Sequence, residues 1–177
     1  RQVESLVKRI GARRIASYWP FNGEPDLVPL CSKLQAEGVS LALPVIDTEI
    51  PGKMTFHEWL PDSPLKINRF GIPEPPAERP VSLGPYDLLI MPLVAYDRAG
   101  HRLGMGAGYY DRHLEPLKHR KSPLRLGVAY RMQEMASIKA DHWDIPLHGL
   151  VNEHESLTFV EWITSGHFGH EKKRRVE

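Results

Sequence analysis

The sequence predicts an α/β protein with an open, mostly parallel sheet flanked by helices in a single compact domain. Near-continuous apolar runs, such as SLALPVI at 40–46, are typical of strands that are buried on both faces of a sheet. Segments whose apolar residues recur at helical spacing alternate with these runs, which favours parallel strands joined by helices. We expect the domain to span residues 1–165 and a polar, basic tail to follow at 166–177.

The first half of the chain predicts a helix, a strand, a second helix and two further strands. Apolar residues at helical spacing predict a helix over 2–10. A short strand follows in ARRIASYWP (12–20), and Asp26 is placed to cap a helix over 27–38. SLALPVI predicts a buried strand, and the alternating MTFHEWL (54–60) predicts a strand that pairs beside it.

The second half predicts a long loop, three strands and a helix. A proline-rich segment at 68–85 is typical of a loop. The apolar YDLLIMPLVAYD (86–97) predicts the most strongly buried strand, and YYDRHLEPL (109–117) predicts a helix after a glycine-rich loop. RLGVAYR (125–131) and HGLVNE (148–153) predict the last two strands.

Composition and charge exclude several classes of protein. The formal net charge of +1 argues against a nucleic-acid partner, and the basic tail is typical of a solvated chain end. No apolar run approaches the roughly 20 residues of a membrane span. The single cysteine, Cys31, excludes an internal disulfide and fits a reducing compartment, and its apolar neighbours favour a buried thiol over a nucleophile. We therefore expect a cytoplasmic protein. We also expect it to be a monomer.

The stretch RLGMGAGYYDR (102–112) carries the strongest functional signal. It follows a buried strand, at the end where open α/β sheets bind their ligands, and its free N–H groups can hold phosphate oxygens. Arg102 can neutralise phosphate charge, and Asp111 can hold Mg²⁺. The glycine spacing fits neither a Walker A loop nor a dinucleotide fingerprint. The alternatives are a purely structural turn and an acid that only favours the helix dipole.

Five stretches resemble one known family. They are MPLVAYDRAGHRLGMGAGYYDRHL (91–114), YWPFNGEPD (18–26), NRFGIPEP (68–75), LGVAYRMQ (126–133) and DIPLHGLVNE (144–153). Together they resemble the 5-formyltetrahydrofolate cyclo-ligase family, also called methenyltetrahydrofolate synthetase, over residues 14–153. The resemblance implies an ATP-dependent ring closure with ATP as co-substrate and Mg²⁺ as cofactor. In that reaction the formyl oxygen on N5 attacks the γ-phosphate, N10 attacks the resulting imidate, and loss of phosphate leaves 5,10-methenyltetrahydrofolate and ADP.

The resemblance also assigns roles by position. The predicted catalytic residues are Arg102 and Tyr109, and the predicted magnesium ligands are Asp111 and Asp144. The predicted ATP-binding residues are Arg102, Leu103, Gly104, Met105, Gly106, Ala107, Gly108, Tyr109 and Tyr110. The predicted folate-binding residues are Trp19, Glu24, Phe70, Gly106, Gly108 and Tyr109.

Without the resemblance, several of these residues have ordinary structural explanations. Trp19 and Phe70 are equally typical of core aromatics, and Tyr110 is typical of the packing face of a helix. Glu24 and Asp144 are typical of turn or capping residues.

The sequence departs from the family pattern at its start and within the glycine-rich loop. The family's opening helix, with a lysine and an arginine that contact ATP, has no counterpart after Arg1. We therefore expect either a longer natural chain or a reduced nucleotide affinity. The alternative function is a folate-binding or regulatory homologue with reduced ATP turnover. Ala107 stands where the family often has glycine or lysine, which keeps the close backbone approach and loses a lysine charge.

Overall fold

The helices and strands follow the order that the sequence predicts, with short additions. The computed structural model describes residues 1–76 and 86–160. In chain order the elements are α1 (Gln2–Ile10), β1 (Arg14–Ala16), α2 (Val28–Ala36), β2 (Ser40–Ile46), β3 (Met54–Glu58), β4 (Lys66–Ile67), β5 (Pro73–Glu74), β6 (Leu88–Met91), β7 (Ala95–Tyr96), β8 (Arg102–Leu103), α3 (Tyr109–Leu114), β9 (Leu124–Val128), β10 (Gly149–Val151) and β11 (Ser156–Thr158). Short 3-10 helices at Glu115–Leu117 and Arg131–Gln133 follow α3 and β9.

Seven strands form one sheet in the order β11-β10-β9-β6-β1-β2-β3. The five inner strands pair in parallel, and the two edge strands, β3 and β11, pair antiparallel to their neighbours. The predicted open, mostly parallel sheet is therefore confirmed. The predicted pairing of 54–60 beside 40–46 is also confirmed, because β3 pairs with β2 from Met54 to Glu58.

Two hydrophobic cores cover the two faces of the sheet. Since side chains alternate along a strand, Leu88 and Ile90 of β6 face one core, whereas Leu89 and Met91 face the other. Helices α1 and α2 pack in the first core, and Leu114 of α3 packs in the second.

One of two further predictions about α2 is confirmed. Cys31 lies buried in the first core, and burial raises the pKa of its thiol to about 11. A thiol with such a raised pKa is expected to be unreactive and to have a structural role. The predicted cap at Asp26 is wrong by one position: Leu27 is the N-cap of α2 and makes no side-chain cap hydrogen bond, whereas Oδ1 of Asp26, one residue earlier, accepts the N–H of Val28 at 2.9 Å.

The predicted strand over 86–97 is wrong in its length. The sheet strand β6 ends at Met91, because Pro92 lacks the N–H that a central strand needs to continue its ladder. The chain then turns out of the sheet, and β7 pairs antiparallel with β8 in a separate hairpin. This departure brings Arg102 to the end of the sheet.

Other parts of the sequence-based prediction are incomplete. The predicted loop over 68–85 begins inside a small hairpin, in which β5 pairs with β4, and the edge strand β11 follows the last predicted strand. The rest of that loop (77–85), the end of the predicted domain and the predicted tail at 166–177 lie outside the described residues.

His148 makes the stability of the fold sensitive to acid. It is 5% exposed, and its Nδ1 accepts the N–H of Arg125 at 3.2 Å, which assigns the ring proton to Nε2. Burial, and secondarily the charge of Arg125, lowers the pKa of His148 to about 3. The unfolded chain takes up a proton near pH 6.5 and the folded chain does not, so stability falls as pH decreases from 6.5 towards 3.

We expect His148→Asn to flatten this pH dependence. Asn keeps an acceptor near the position of Nδ1 and cannot titrate. The wild type should lose about 2 kcal/mol of unfolding free energy at pH 5 through this one group. Urea unfolding at pH 7.5 and pH 5 measures the difference, with the exposed His119→Asn as the matched control. An equal loss in the wild type and His148→Asn would show that other groups carry the acid sensitivity.

Candidate active site

A cavity of about 390 Å³ opens at the carboxyl ends of β1 and β6. From β1 the chain proceeds to β2 on one side of the sheet, and from β6 it proceeds to β9 on the other. Ligands of open α/β sheets bind at such a point, where the strand order reverses. The cavity is lined by the segment after β1 (18–24), the β4–β5 turn (68–72), the segment after β6 (92–94) and residues between 102 and 111.

The glycine loop (104–108) forms one wall of this cavity. Gly106 has a φ of 88° and Gly108 a φ of 63°, and both values lie in the left-handed region that favours glycine. A Cβ built on Gly106 would meet no protein atom within 4 Å, so the space beside its backbone is open. Gly108 directly precedes α3, and the first N–H groups of a helix lack partners within the helix. The loop therefore presents backbone donors to an open space.

Arg102 is buried at the start of the glycine loop. Its side chain is 5% exposed, and Nη2 donates to Oδ1 of Asp111 at 2.8 Å. Its Nε is buried and has no hydrogen-bond partner among the described residues. Because buried donors are costly to leave unpaired, this guanidinium retains a donor for an acceptor that the described part of the chain does not supply.

Asp111 connects the glycine loop to the segment before β10. Besides Arg102, its Oδ1 accepts the N–H of Ile145 at 3.1 Å. Asp144 is therefore the direct sequence neighbour of a residue that contacts Asp111. Oδ2 of Asp144 accepts the N–H of Asp141 at 2.8 Å, which is the turn role that the sequence offers as an alternative.

Arg112 holds the far end of the glycine loop against the β2–β3 turn. Its Nε donates to the carbonyl of Gly52 at 2.9 Å, and its Nη2 donates to the carbonyl of Ala107. The same guanidinium lies 5.8 Å from the centre of the Tyr109 ring. One side chain thus fixes the loop to an edge of the sheet.

Glu24 faces the cavity from the segment after β1. It is half-buried, and Oε2 accepts the N–H of Phe21 at 2.9 Å. Burial raises the pKa of Glu24, and the hydrogen bond from Phe21 partly opposes the rise. Burial, with the charge of Glu24 as the second cause, raises the pKa values of Tyr18 and Tyr110, so both phenols stay neutral. The carboxyl group therefore lies in an apolar, aromatic surrounding.

Aromatic rings form the remaining walls. The Phe70 and Tyr109 rings meet edge to face with 6.5 Å between centres, and Phe70 is 45% exposed. Trp19 meets Trp59 of the first core edge to face at 5.8 Å. Trp19 therefore serves both the core and the cavity, whereas Phe70 lies mainly at the surface of the cavity.

Comparison with known proteins assigns the family. A family model described as "5-formyltetrahydrofolate cyclo-ligase family" matches residues 1–153. The chain belongs to the 5-formyltetrahydrofolate cyclo-ligase family. A relative from Haemophilus influenzae named 5-formyltetrahydrofolate cyclo-ligase is 37% identical over 149 residues, which cover 83% of this chain and 79% of the relative. A relative of the same name from Escherichia coli K12 is 39% identical over 142 residues, which cover 79% and 78%.

Solved structures agree with the cyclo-ligase assignment. The Aquifex aeolicus 5,10-methenyltetrahydrofolate synthetase superposes with a TM-score of 0.75 at 31% identity, covering 99% of this chain and 84% of that one. A synthetase of the same name from Mycoplasma pneumoniae superposes with a TM-score of 0.62 at 25% identity, covering 85% and 79%. The predicted resemblance is therefore confirmed. The family match also includes α1, which the resembling stretches do not reach.

Most residues predicted from the cyclo-ligase resemblance line the cavity described above. They are Trp19, Glu24, Phe70, Arg102, Gly104, Met105, Ala107, Gly108, Tyr109, Tyr110 and Asp111. Leu103, Gly106 and Asp144 do not line it. Leu103 is 41% exposed, and its carbonyl accepts the N–H of Val94 at 2.7 Å. Within residues 1–76 and 86–160, no cluster of three or more His, Cys, Asp or Glu side chains could hold a metal.

Sequence reasoning missed several residues of the cyclo-ligase cavity. Tyr18 and Asn68 line it beside predicted residues, and both lie within stretches that resemble the family. Met54 and Pro44 also line it, and neither carries a functional signal in the sequence.

None of the helices in the described part of the chain has the length and apolar character that crossing a membrane requires.

Proposed function

We propose that this protein closes the ring of 5-formyltetrahydrofolate to give 5,10-methenyltetrahydrofolate, with conversion of ATP to ADP and phosphate and with Mg²⁺ bound. One observation carries the proposal. The cavity at the point where the strand order reverses brings the glycine loop and the buried Arg102–Asp111 pair together with Glu24 and an aromatic wall. The glycine loop and Arg102–Asp111 suit phosphate, and Glu24 with the aromatic wall suits a flat heterocycle with ring N–H groups. The names of the relatives supply the reaction that needs both.

The chain contributes positioning and charge. The glycine loop and Arg102 would hold the γ-phosphate in line with the N5 formyl oxygen, which forms the new P–O bond as the bond to ADP breaks. N10 then forms a bond to the formyl carbon, its proton leaves to solvent, and the carbon–oxygen bond breaks to release phosphate. Fixed donors in a cavity with little water stabilise such developing charge strongly. Tyr109, which lines the cavity at the start of α3, would border both ligands.

Asp111 at the cavity, with Asp144 beside the residue that contacts it, has the carboxylate chemistry of a magnesium site that would be shared with phosphate. Mg²⁺ prefers oxygen ligands and is usually held by one or two carboxylates with phosphates and waters. In the contacts made among the described residues each carboxylate uses one oxygen, so the other would remain for an ion. When bound, the ion would neutralise phosphate charge. A free, buried Cys31 suits a reducing compartment, so we propose a cytoplasmic location, and we also propose a monomer.

Absorbance of the methenyl product tests the proposal directly. Purified protein should generate the chromophore from 5-formyltetrahydrofolate only when both ATP and Mg²⁺ are present, and EDTA should stop it. Formation of product without nucleotide would overturn the proposal. Tight folate binding without turnover would instead favour a folate-binding homologue with reduced ATP turnover.

Gly106→Ala should weaken ATP binding, whereas Gly38→Ala should not. Both glycines have positive φ, 88° and 82°, and a Cβ added to either would meet no atom within 4 Å. Both variants should therefore lose a similar 1–2 kcal/mol or so of stability through backbone strain. Gly38 precedes β2, at the opposite end of the sheet from the cavity.

We expect ATP affinity to fall about tenfold in Gly106→Ala alone, since strain at this position would shift the backbone N–H groups of its neighbours Met105 and Ala107, which line the cavity. Calorimetric titration with ATP and thermal melting of the same samples separate the two effects. Equal ATP affinity in both variants would show that Gly106 has only a structural role in the turn.

Glu24→Gln should weaken folate binding about tenfold while ATP affinity stays unchanged. The variant keeps the shape of the side chain and replaces one acceptor with a donor, which leaves a ring N–H of the substrate unpaired at a cost of about 1–3 kcal/mol. Calorimetry with 5-formyltetrahydrofolate measures the change, with the exposed Glu37→Gln on the opposite end of the sheet as control. Unchanged folate affinity would return Glu24 to the role of a turn residue.

A further inference from the structure

Arg69 is not among the residues that line the cavity, but its contacts with two residues that do line it hold it at the rim. Its guanidinium lies 5.0 Å from the centre of the Phe70 ring, and its Nη2 donates to the hydroxyl of Tyr109 at 3.0 Å. Phe70 and Tyr109 both line the cavity and pack edge to face. These three residues, which we call the rim cluster, therefore place a cation at the edge of the cavity, between the β4–β5 turn and α3.

The turn that carries Arg69 is itself fixed. Oδ1 of Asn68 accepts the N–H groups of Phe70 and Ile72 at 2.9 and 3.1 Å. Nδ2 of Asn68 donates to Oε2 of Glu74 at 3.0 Å, which ties the turn to β5. Arg69 thus projects from a pre-formed turn, so little ordering is needed when it meets a ligand.

The charge of Arg69 is not compensated by the described part of the chain. Its contacts there are a phenol and an aromatic ring, and no carboxylate among the described residues lies within ion-pair distance of it. By contrast, Arg98 pairs with Glu134 and Glu155, and Arg102 pairs with Asp111. A cation that is fixed by neutral contacts at the rim of a cavity is suited to bind an anionic group of a ligand.

The proposed substrate carries such a group at a suitable place. Its pterin would meet Glu24 inside the cavity, and its aminobenzoyl ring leads to a glutamate whose carboxylates must remain near solvent. The phosphates of ATP would already be held by the glycine loop and Arg102. The tail is therefore the anionic part of the substrates that remains for the rim.

We propose that Arg69 binds a carboxylate of the glutamyl tail, while Phe70 and Tyr109 pack against the aminobenzoyl ring. This inference rests on the proposed function. It makes Arg69 a residue that determines specificity: it selects folates with a glutamyl tail over pterins without one, and it favours additional γ-linked glutamates that bring further carboxylates to the rim.

Three substrates and three variants test this assignment. The substrates are 5-formyltetrahydropteroate, which has no glutamate, 5-formyltetrahydrofolate with one glutamate, and the same folate with several γ-linked glutamates. The variants are Arg69→Gln, Arg69→Lys and Arg13→Gln, whose exposed arginine precedes β1 at the opposite end of the sheet.

We expect Arg69→Gln to raise KM for the two glutamylated folates about fivefold, the size expected for loss of one partly exposed charged contact. KM for the pteroate and for ATP should stay within twofold, and Arg69→Lys should retain part of the discrimination because it keeps the charge. Arg13→Gln should match the wild type on all substrates. Added salt should raise KM for the folates in the wild type and much less in Arg69→Gln.

Several outcomes would overturn the assignment. An equal rise in KM for the pteroate would show that Arg69 acts only through the packing of Phe70. A rise in KM for ATP in place of folate would assign the cation to phosphate, and no change in KM would leave it without a ligand role. If the wild type does not turn over, the proposed function fails. The ratio of folate to pteroate affinity, measured by calorimetry, then still tests the carboxylate contact.

Discussion

Arg102→Gln should lower kcat about 100- to 1,000-fold at saturating ATP and folate, which is the usual cost of removing a fixed donor from a charge-stabilising site. The guanidinium is buried, pairs with Asp111 and keeps an Nε beside the glycine loop that is unpaired among the described residues. Charge that develops on the γ-phosphate would be felt strongly in such a site because water screens it little. Glutamine keeps a hydrogen-bond donor and removes the positive charge. Stopped-flow absorbance of the methenyl product measures the loss.

A control is needed because Asp111 would lose its partner in this variant. Removing both partners of a buried pair restores much of the stability that removing one of them costs. The double variant Arg102→Gln/Asp111→Asn should therefore melt closer to the wild type and stay inactive. Arg98→Gln, which removes an arginine from an exposed ion-pair group of the same hairpin, should keep kcat near the wild-type value. Turnover of Arg102→Gln within tenfold of the wild type would contradict the proposed charge stabilisation.

Asp111→Asn should remain folded and lose more than about 100-fold in turnover, with a higher magnesium concentration needed for half-maximal rate. The amide oxygen can still accept the hydrogen bonds from Arg102 and from the N–H of Ile145. The helix start and the local hydrogen bonds therefore survive, and the negative charge that is lost is the one that would bind the metal and that pairs with Arg102. Magnesium titration of the steady-state rate separates affinity from kcat.

Asp26→Asn is the matched control for Asp111→Asn. Asp26 also places a carboxylate at the start of a helix, where it accepts the N–H of Val28. This variant should change neither the magnesium dependence nor kcat. Full activity of Asp111→Asn, with an unchanged magnesium titration, would show that Asp111 serves only α3 and Arg102.

The sheet could be predicted from the sequence because its signal is local. Strands that are buried on both faces must be apolar throughout, so 40–46 and most of 86–97 can be recognised as strands from the sequence. The end of the second run could not be placed, because Leu93 and Val94 are as apolar as the strand before them although they line a cavity beyond it. Only Pro92 marks the point where the ladder ends.

The site could be predicted in its composition but not in every orientation. Glycine spacing and the resemblance pointed to 102–111, and most of that stretch does line the cavity. In β8, however, the charged Arg102 is buried and the apolar Leu103 is exposed, the reverse of what hydrophobicity suggests. Arg102 turns inward because Asp111, nine residues later, supplies its partner. Such a pairing depends on the tertiary structure, which no local pattern records.

The hold of Arg112 on Gly52 has a consequence for engineering. Hairpin turns at the edge of a sheet are ordinarily the places where tags, labels and inserted domains do least harm. Here the guanidinium of Arg112 binds both the turn before β3 and the glycine loop. Lengthening the turn would therefore also disturb the hydrogen bond to the carbonyl of Ala107. A side chain at position 52 would also run into that guanidinium. An insertion for display or labelling should therefore be placed elsewhere, because this turn at the edge of the sheet is coupled through Arg112 to the glycine loop of the candidate active site.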